Sequence, residues 1–467
     1  MADWTPNLGG GRSRGTKHRR LTEAIVADIE RGQLPVGTRL PPHRDLAYRL
    51  GVSVQTVSVS YKEAERRGYL RSEVGRGTFV RSRVTERVDR FMLDRNPRDL
   101  VDFSIIRAVY TERHEAAARA LMRAMAEDEN GVWMRPCRPV AGLDRHRAAG
   151  QAWLRGLGVA VETDRILITN GAAQAVFVAL ATIVEPGDVV LTEELTDHGV
   201  IGLASVLGFT IRGLPTDGEG ILPDAFAAAA ASGPVKALVC IPTFGNPSRY
   251  LAGAERRAEL ARIAGQHGVF VIEDEVFKPL LEAALPSIAA LAPDLGFFAT
   301  SFTKSVMTGL RAGYLVVPPR YVLRAASILR VTSWSAAPVI AEMAARWVEN
   351  GEAAALLAVQ RAEMAQRQAL ASEVLGEALV HPHPHALSAW VELPDHWSEE
   401  ALVRTLFGRG VAVAPSDPFV ADPAHRHGGI RICLGGRLSE ARLRGGLETI
   451  RQTLAQIAPV SDAGLVG

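Results

Sequence analysis

Short apolar, β-like runs alternate with alanine-rich stretches through most of this chain, from about residue 102 onward. Strands separated by helices predict a mostly parallel sheet that is covered by helices on both faces. Ligands of such sheets bind at the carboxyl ends of the strands, so functional residues are expected in the loops that follow the runs. The candidate strands are residues 165–169, 189–191, 237–241, 269–272 and 314–317.

Three of those loops carry residues that suit a ligand site. TNGAAQAV (169–176) leads into an apolar helix, whose N-terminal amides and dipole favour an anion. PTFGNPSR offers Asn246 after a strand, and GVFVIEDEVF places Asp274 where a buried strand reaches the surface. A carboxylate there can keep a pyridine nitrogen protonated. Taken singly, TNGAAQAV could be an ordinary glycine-rich turn, and Asp274 could belong to a solvated acidic turn.

The string SFTKSVMTGLR (301–311) places Lys304 between small hydroxyl residues, seven positions before Arg311. This pattern is typical of enzymes that bind pyridoxal 5'-phosphate (PLP), in which the lysine amine forms an imine with the aldehyde. A hydroxyl and a guanidinium then reach the phosphate. An ordinary surface lysine is the alternative for the isolated string. Near the end of the chain, Arg431 lies in IRICLG, a further β-like run.

The N-terminal region predicts three helices and a hairpin. Apolar residues recur at helical spacing from Leu21 to Ile29, residues 43–50 form a second helical segment, and Ser53 is an N-cap candidate for a third that runs to Arg66. Two β-like runs, 69–72 and 78–81, then flank Gly75-Arg76-Gly77. This order predicts a helix-turn-helix whose third helix enters the major groove with its N-terminus first.

Charge and composition agree with two kinds of domain. Residues 1–90 carry 18 Lys and Arg against 10 Asp and Glu, although the whole chain has a formal charge of only +2. A basic segment of this kind favours a nucleic-acid-binding module, although a solvated basic tail is an alternative. The length of 467 residues predicts at least two domains. Three scattered cysteines and the lack of long apolar runs favour a cytoplasmic protein without a membrane span.

From Gly37 to Val80 the sequence resembles the winged helix-turn-helix of the GntR regulator family. The strings GTRLPPHRDLA, LGVSVQTVSVSY, GYL and GRGTFV occur in the family's order. Val54 stands where the family commonly has arginine, so one expected DNA contact is lost. The resemblance and the helix cap imply these candidates for operator contacts: Arg44, Ser53, Gln55, Thr56 and Gly77.

From about Asp102 to Ala458 the order of motifs resembles the fold-type-I aminotransferases. The resemblance implies that Lys304 forms the Schiff base, that Asp274 pairs with the ring nitrogen, and that Arg431 binds a substrate carboxylate. The remaining positions implied to contact the cofactor are the amides of Ala172 and Ala173 with Ser301 and Arg311 at the phosphate, Asn246 at the ring hydroxyl, and Asp197 or His198 beside the ring.

The combination resembles the MocR subfamily of transcription regulators. It implies a mostly helical winged helix-turn-helix at 15–83, a linker at 84–101, and an α/β PLP-dependent transferase-like domain at 102–460. That domain is expected to have a mixed, mostly parallel sheet and a smaller C-terminal α/β subdomain. The resemblance further implies operator DNA, an amino-acid-like effector sensed by exchange at Lys304, and a domain-swapped homodimer.

Three departures from the aminotransferase pattern favour a sensor over a working transaminase. LTDHG (195–199) replaces the string that usually supplies a ring-stacking aromatic residue, and Phe277 stands where the family has tyrosine. Cys137 aligns best with a tyrosine that is often found before the glycine at 142. The alternatives are a true aminotransferase with an accessory DNA-binding domain, and a DNA-binding protein whose second domain only dimerises. HPHPH (381–385) could align histidines for a metal, but its prolines favour a loop, so no metal is expected.

Overall fold

In the computed structural model the chain divides into two compact units, Met1–Leu93 and Asp94–Gly467. The division falls within the expected linker, of which residues 84–99 lie outside the described part of the chain, as do residues 75–76 and Cys137. The residues that the structure describes are 4–6, 16–30, 33–34, 38–66, 69–73, 77–80, 100–128, 131, 139–421 and 428–456.

The first unit contains three helices and a two-stranded hairpin. Its elements are α1 (Lys17–Glu30), α2 (His43–Leu50), α3 (Val54–Arg66), β1 (Leu70–Glu73) and β2 (Gly77–Val80). The two strands are antiparallel, with Leu70 opposite Val80. Leu21, Leu46 and Val57 are fully buried and bring one apolar face of each helix into a shared core. The helical spacing of apolar residues in the sequence predicted this packing.

The second unit alternates strands and helices over most of its length. Its helices are α4 (Glu112–Ala126), α5 (Asp144–Gly156), α6 (Ala172–Ile183), α7 (His198–Leu207), α8 (Pro223–Ala231), α9 (Ala254–His267), α10 (Ile288–Leu291), α11 (Val322–Ser333), α12 (Pro338–Glu349), α13 (Glu352–Leu375), α14 (Glu399–Gly408) and α15 (Glu440–Leu454). Its strands are β3 (Val101–Asp102), β4 (Ile166–Thr169), β5 (Val189–Glu193), β6 (Thr210–Leu214), β7 (Thr216–Asp217), β8 (Gly220–Ile221), β9 (Ala237–Cys240), β10 (Phe270–Asp274), β11 (Gly296–Ser301), β12 (Gly313–Val316), β13 (Leu379–Val380), β14 (Ser388–Glu392), β15 (Val411–Ala412), β16 (Ala414–Pro415) and β17 (Gly429–Cys433).

A seven-stranded sheet forms the centre of this unit, in the order β4-β12-β11-β10-β9-β5-β6. Strand β12 runs antiparallel to both its neighbours, and the other pairs are parallel. Neighbouring residues on one strand, such as Val271 and Ile272, belong to different apolar clusters on opposite faces. The sheet is therefore buried on both sides, as the apolar runs predict. All the parallel strands end at one edge, and β12 begins there.

A smaller antiparallel sheet, β13-β14-β17-β16, forms the C-terminal part. Strand β14 pairs with β17, which places Trp390 opposite Arg431. Residue Val101, the last of the expected linker, already lies in β3, which pairs in parallel with β15 through Val411. A non-local strand pair therefore fixes the position of Val101. None of the described helices is long and apolar enough to cross a membrane.

Candidate functional site

The surface around the start of α3 contains the expected DNA-contact residues. Ser53 precedes the helix, and its Oγ accepts a hydrogen bond from the Thr56 amide at 3.1 Å and lies 2.9 Å from the Thr56 hydroxyl. Gln55 and Arg44, the latter on α2, are exposed. Gly77 begins β2 with φ at 116°, and an added Cβ would lie 2.7 Å from Nε of Arg39. The positive φ therefore favours glycine at this position, whereas movement of the flexible Arg39 side chain would relieve the close contact.

At the edge of the large sheet where the parallel strands end, the turn from β4 into α6 forms a site suited to an anion. Gly171 precedes the helix with φ at 86°, and a Cβ there would come within 3.1 Å of Nη2 of Arg311. Ala172 and Ala173 are the first two residues of α6, so their amides have no partner within the helix. Ser301, at the end of β11, pairs with Gly313 of β12, which in turn pairs with Thr169 of β4. The register thus brings the expected phosphate-binding residues to one place.

Lys304 follows β11 at the same edge. Its Nζ donates a hydrogen bond of 2.6 Å to the carbonyl oxygen of Ile106. Burial lowers the pKa of Lys304 to about 8, while the nearby carboxylate of Asp197 opposes part of that shift. A lysine with this pKa is partly unprotonated near neutral pH, which is the form that attacks an aldehyde. An ordinary surface lysine would have neither the burial nor the lowered pKa.

Asp274 ends β10, beside the strand that leads to Lys304. Its Oδ1 is buried and has no hydrogen-bond partner among the described residues. Burial, followed by the charge of Asp197, raises the pKa of Asp274 to about 8. A buried carboxylate oxygen without a donor is uncommon and calls for an explanation. The protonated pyridine nitrogen of a bound PLP would supply both the missing hydrogen-bond donor and the missing positive charge.

Asn246 connects Asp197 to Arg431. Its Nδ2 donates to Oδ2 of Asp197 at 2.8 Å, and its Oδ1 accepts from Nη1 of Arg431 at 2.7 Å. Burial works against ionisation of Asp197, but His198, the Gly199 amide and Arg431 together hold its pKa below the usual value. The expected ring-hydroxyl ligand and the expected carboxylate-binding arginine therefore lie in direct contact.

The structure adds residues that the sequence motifs did not indicate. Nη2 of Arg431 donates to the carbonyl oxygen of Ser104 at 2.8 Å, and its guanidinium lies 4.5 Å from the ring centre of Phe419. Together with Ile106, these residues come from the segment before α4 and from the turn after β16. Backbone carbonyls leave no pattern in a sequence, so no motif could have pointed to Ser104 or Ile106.

Two of the three departures from the aminotransferase pattern lie in the described part of the chain, and the third, Cys137, lies outside it. Asp197 caps α7 by accepting a hydrogen bond of 2.7 Å from the Gly199 amide, and the His198 ring meets the ring of Phe419 edge-on at 5.8 Å. Phe277 is buried in the large apolar cluster. Neither position supplies a phenol, and Phe277 makes an apolar contact where a hydroxyl was expected in the family.

The three histidines of HPHPH occupy the loop between β13 and β14. The rings of His383 and His385 are 5.8 Å apart, and His383 packs 4.4 Å from Phe244. Burial, followed by His385 and Arg249, lowers the pKa of His383 to about 4. Within the described part of the chain, no group of three or more His, Cys, Asp and Glu is arranged to hold a metal ion.

Comparison with known proteins decides the family. Residues 109–450 match aminotransferase class I and II, and residues 17–80 match the bacterial regulatory proteins of the gntR family. The chain belongs to the aminotransferase class I and II family. With its gntR-family domain, this aminotransferase-family chain has the domain combination of the MocR subfamily.

Proteins similar over most of this chain support the assignment. The chain is 26% identical over 452 residues to the HTH-type transcriptional regulator YdeF of Bacillus subtilis, covering 97% of this chain and 96% of the relative. It is 26% identical to the probable rhizopine catabolism regulatory protein MocR of Rhizobium meliloti, covering 85% and 86%. The kynurenine aminotransferase of Pyrococcus horikoshii shares its fold, with a TM-score of 0.70 at 20% identity over 80% of this chain and 94% of that one.

These findings confirm the predicted family and fold class, a GntR helix-turn-helix joined to an aminotransferase-type domain with a mixed, mostly parallel sheet. They also confirm that this aminotransferase-family chain is a regulator-type protein with a DNA-binding domain. The individual roles of the site residues stay predictions.

Proposed function

We propose that this protein is a PLP-dependent transcription regulator that binds operator DNA and responds to an amino compound. The observation that carries the proposal is that Lys304, Asp274 and Arg311 lie at one edge of the large sheet, where Asn246 contacts Arg431 of the small sheet. The same chain also has a winged helix-turn-helix. Strand pairing and hydrogen bonds bring these site residues together from positions up to 185 residues apart in the sequence. A domain used only for dimerisation would not need them.

The residues present fit the cofactor. The α6 amides of Ala172 and Ala173, with Arg311 and Ser301, would hold the phosphate. Oδ1 of Asp274, which has no hydrogen-bond partner among the described residues, would accept a hydrogen bond from the protonated ring nitrogen. Bound PLP supplies an aldehyde that condenses with amines and a ring that withdraws electrons. Lys304 would be the amine that holds it, and Asn246 would lie at the ring hydroxyl.

An amine effector would compete with Lys304 for the same aldehyde. When displaced, the Lys304 amine has the carbonyl of Ile106 as a hydrogen-bond acceptor at 2.6 Å, so it can be held away from the ligand. Arg431 would bind an anionic group of the effector through a charge-assisted hydrogen bond. The effector shifts the regulator only if it binds two conformational states with different affinities.

At the DNA, Gln55 and Thr56 would reach base edges or phosphates in the major groove, and Arg44 would contact a phosphate. Ser53 holds the first turn of α3 in place for these contacts. We further propose that the regulator acts as a domain-swapped homodimer in the cytoplasm. A two-fold dimer would favour an operator with two related half-sites.

An aminotransferase with an accessory DNA-binding domain is the second candidate, and the buried Phe277 disfavours it. Proton transfer in transamination needs a correctly polarised ring, and a phenylalanine cannot donate a hydrogen bond to the ring oxygen. The bound effector is therefore expected to remain unconverted.

The decisive experiment compares the purified protein with Lys304→Ala. The unmodified protein should bind PLP with a visible absorbance band, and amines should change both this band and the operator mobility shift. Lys304→Ala should lose the band and the amine response but keep basal DNA binding. Lys236→Ala, which removes a partly exposed lysine near Asp188, is the control and should behave as the unmodified protein. A normal amine response from Lys304→Ala would refute the proposal.

A further inference from the structure

Arg249 is a buried cation for which the proposed chemistry has no use. Arg249 is only 3% exposed, and its Nη2 has no hydrogen-bond partner among the described residues. The Nη1 makes two long contacts, 3.3 Å to the Ser388 hydroxyl and 3.4 Å to the Phe244 carbonyl oxygen. A buried charge that lacks an opposite charge is costly, so the fold gains something from keeping it.

The surroundings of Arg249 contain no compensating carboxylate in the part of the chain that the structure describes. Its guanidinium lies 5.2 Å from the ring centre of Phe244, which also packs against His383. Burial raises the pKa of the Cys433 thiol and lowers that of His383, so both neighbours are uncharged near neutral pH. Burial also lowers the pKa of Arg249 to about 9, which leaves the guanidinium charged.

The strand register places Arg249 and Arg431 on the same face of the small sheet. Ser388 of β14 lies opposite Cys433 of β17, and Cys433 is two residues from Arg431 on the same strand. Side chains two apart on a strand point to the same face. Arg249, which contacts Ser388, therefore lies on the face from which Arg431 projects. From the other side, Arg249 comes three residues after Asn246, the hydrogen-bond partner of Arg431.

Both arginines are equally enclosed, at 3% and 2% exposure. Neither side chain is open to solvent, so an anion reaches either arginine only when neighbouring side chains move. The backbone of Arg249 has φ at 73°, a conformation that residues other than glycine rarely adopt. The chain thus keeps an arginine where glycine would be less strained.

We propose that Arg249 is a second anion-binding group of the effector cleft, so that the effector is an amine with two acidic groups. The inference rests on the proposed function and narrows its effector to an acidic amino acid or a similar compound. Arg431 would bind one acidic group and the free Nη2 of Arg249 the other. Guanidinium groups suit this role because they bind carboxylates through paired, charge-assisted hydrogen bonds.

The test uses the PLP-bound full chain and pairs of ligands that differ only in charge: L-glutamate with L-glutamine, and L-aspartate with L-asparagine. Binding is followed by the change in the visible absorbance band. The acidic member of at least one pair should bind at least about ten-fold more tightly. In Arg249→Gly the preference for the acidic ligand should fall about ten-fold or more. The affinity for the neutral amide should stay within about two-fold of that of the unmodified protein.

Glycine is the chosen replacement because it removes the guanidinium and adopts positive φ without strain, so the variant should fold. Arg249→Lys should keep part of the preference, since it keeps the charge. Arg262→Gln, at an exposed position of α9, is the control and should keep all of it. Equal loss for acidic and neutral ligands would mean that Arg249 is only structural, and an unchanged preference would exclude it from the site; either result overturns the inference.

A second measurement separates this inference from the proposed function. Calorimetry with glutarate and butyrate tests the two-anion site without any amine chemistry. Glutarate should bind more tightly than butyrate, and Arg249→Gly should abolish the difference. Equal binding of the two acids overturns the inference. If no amine alters the absorbance band while glutarate binding still depends on Arg249, amine sensing is refuted but the two-anion site stands.

Discussion

The amide of Asn246 accepts a hydrogen bond from Arg431, with 2.7 Å between Oδ1 and Nη1. This contact joins the loop after β9 of the large sheet to β17 of the small sheet, across 185 residues of sequence. Through its Nδ2, Asn246 also contacts Asp197 after β5. One amide therefore links the expected cofactor region to the expected anion-binding arginine, so ligand binding at Arg431 can alter how the two sheets are held together.

The rate at which the apoprotein combines with PLP should depend on the ionisation of Lys304. Only the unprotonated amine attacks the aldehyde, and burial lowers the pKa of Lys304 to about 8. The rate should rise about ten-fold per pH unit below that value and level off above it. Stopped-flow absorbance against pH measures this, with Nα-acetyl-lysine as the reference amine. A rate that keeps rising to the ordinary lysine pKa of about 10.4 would contradict the burial of this amine.

Asp274→Asn should raise the stability of the apoprotein at alkaline pH but lower its affinity for PLP. Burial raises the pKa of Asp274 from 3.8 to about 8, so the folded apoprotein binds the proton more tightly than the unfolded chain between these values. Its stability contribution is therefore complete below about pH 4 and is lost as pH rises toward 8. The neutral asparagine lacks this loss, so the variant apoprotein should be the more stable one at about pH 9.

Denaturant unfolding at about pH 5 and pH 9 measures this difference, which should grow with pH. PLP affinity should fall, because asparagine cannot balance a protonated ring nitrogen. Asp224→Asn, an exposed aspartate in the first turn of α8, is the control and should change neither property. A variant that is equally destabilised at both pH values would indicate a packing role instead.

Two substitutions in the first unit should affect DNA binding differently. Arg44→Ala removes an exposed cation, so operator binding should weaken and the slope of log affinity against log salt should fall by about one ion. Thr56→Ala should change discrimination between related sites by about 1 kcal/mol if its hydroxyl reads a base. Mobility shifts at several salt concentrations measure both, with Arg19→Ala on α1 as a control. Unchanged binding for both variants would exclude the start of α3 from the interface.

Conversion of the bound cofactor to its pyridoxamine form by generic amino acids should be absent or slow. A poorly positioned or wrongly polarised proton transfer costs typically ~10² to 10⁴ in rate, and Phe277 cannot provide the phenol contact. Stopped-flow spectra with L-alanine and L-glutamate, followed by addition of a keto acid, test this directly. Rapid, complete and reversible conversion would instead establish an aminotransferase.

The sequence by itself determined the family and the fold class, and it predicted most of the main helices and strands. The roles of the principal site residues stay predictions. Helical periodicity gave α1 and α3 and placed α2 at its observed bounds, and the Ser53 cap was recognisable because caps depend on neighbouring residues only. Strand β11 did not appear among the expected strands, since GFFATS (296–301) contains neither valine nor isoleucine, at least one of which is present in each of the expected runs. Lys304 and Asp274 were identifiable because each lies in a local motif at a strand end.

Tertiary structure alone decided which side chains meet. The ordering of Val101 by β15, the carbonyl of Ile106 beside Lys304, and Ser104 and Phe419 around Arg431 all depend on contacts between distant segments. Arg249 is the clearest case. Its sequence context gave no sign of a buried, uncompensated charge, because burial depends on how two sheets pack together and not on the residues next to it in the chain.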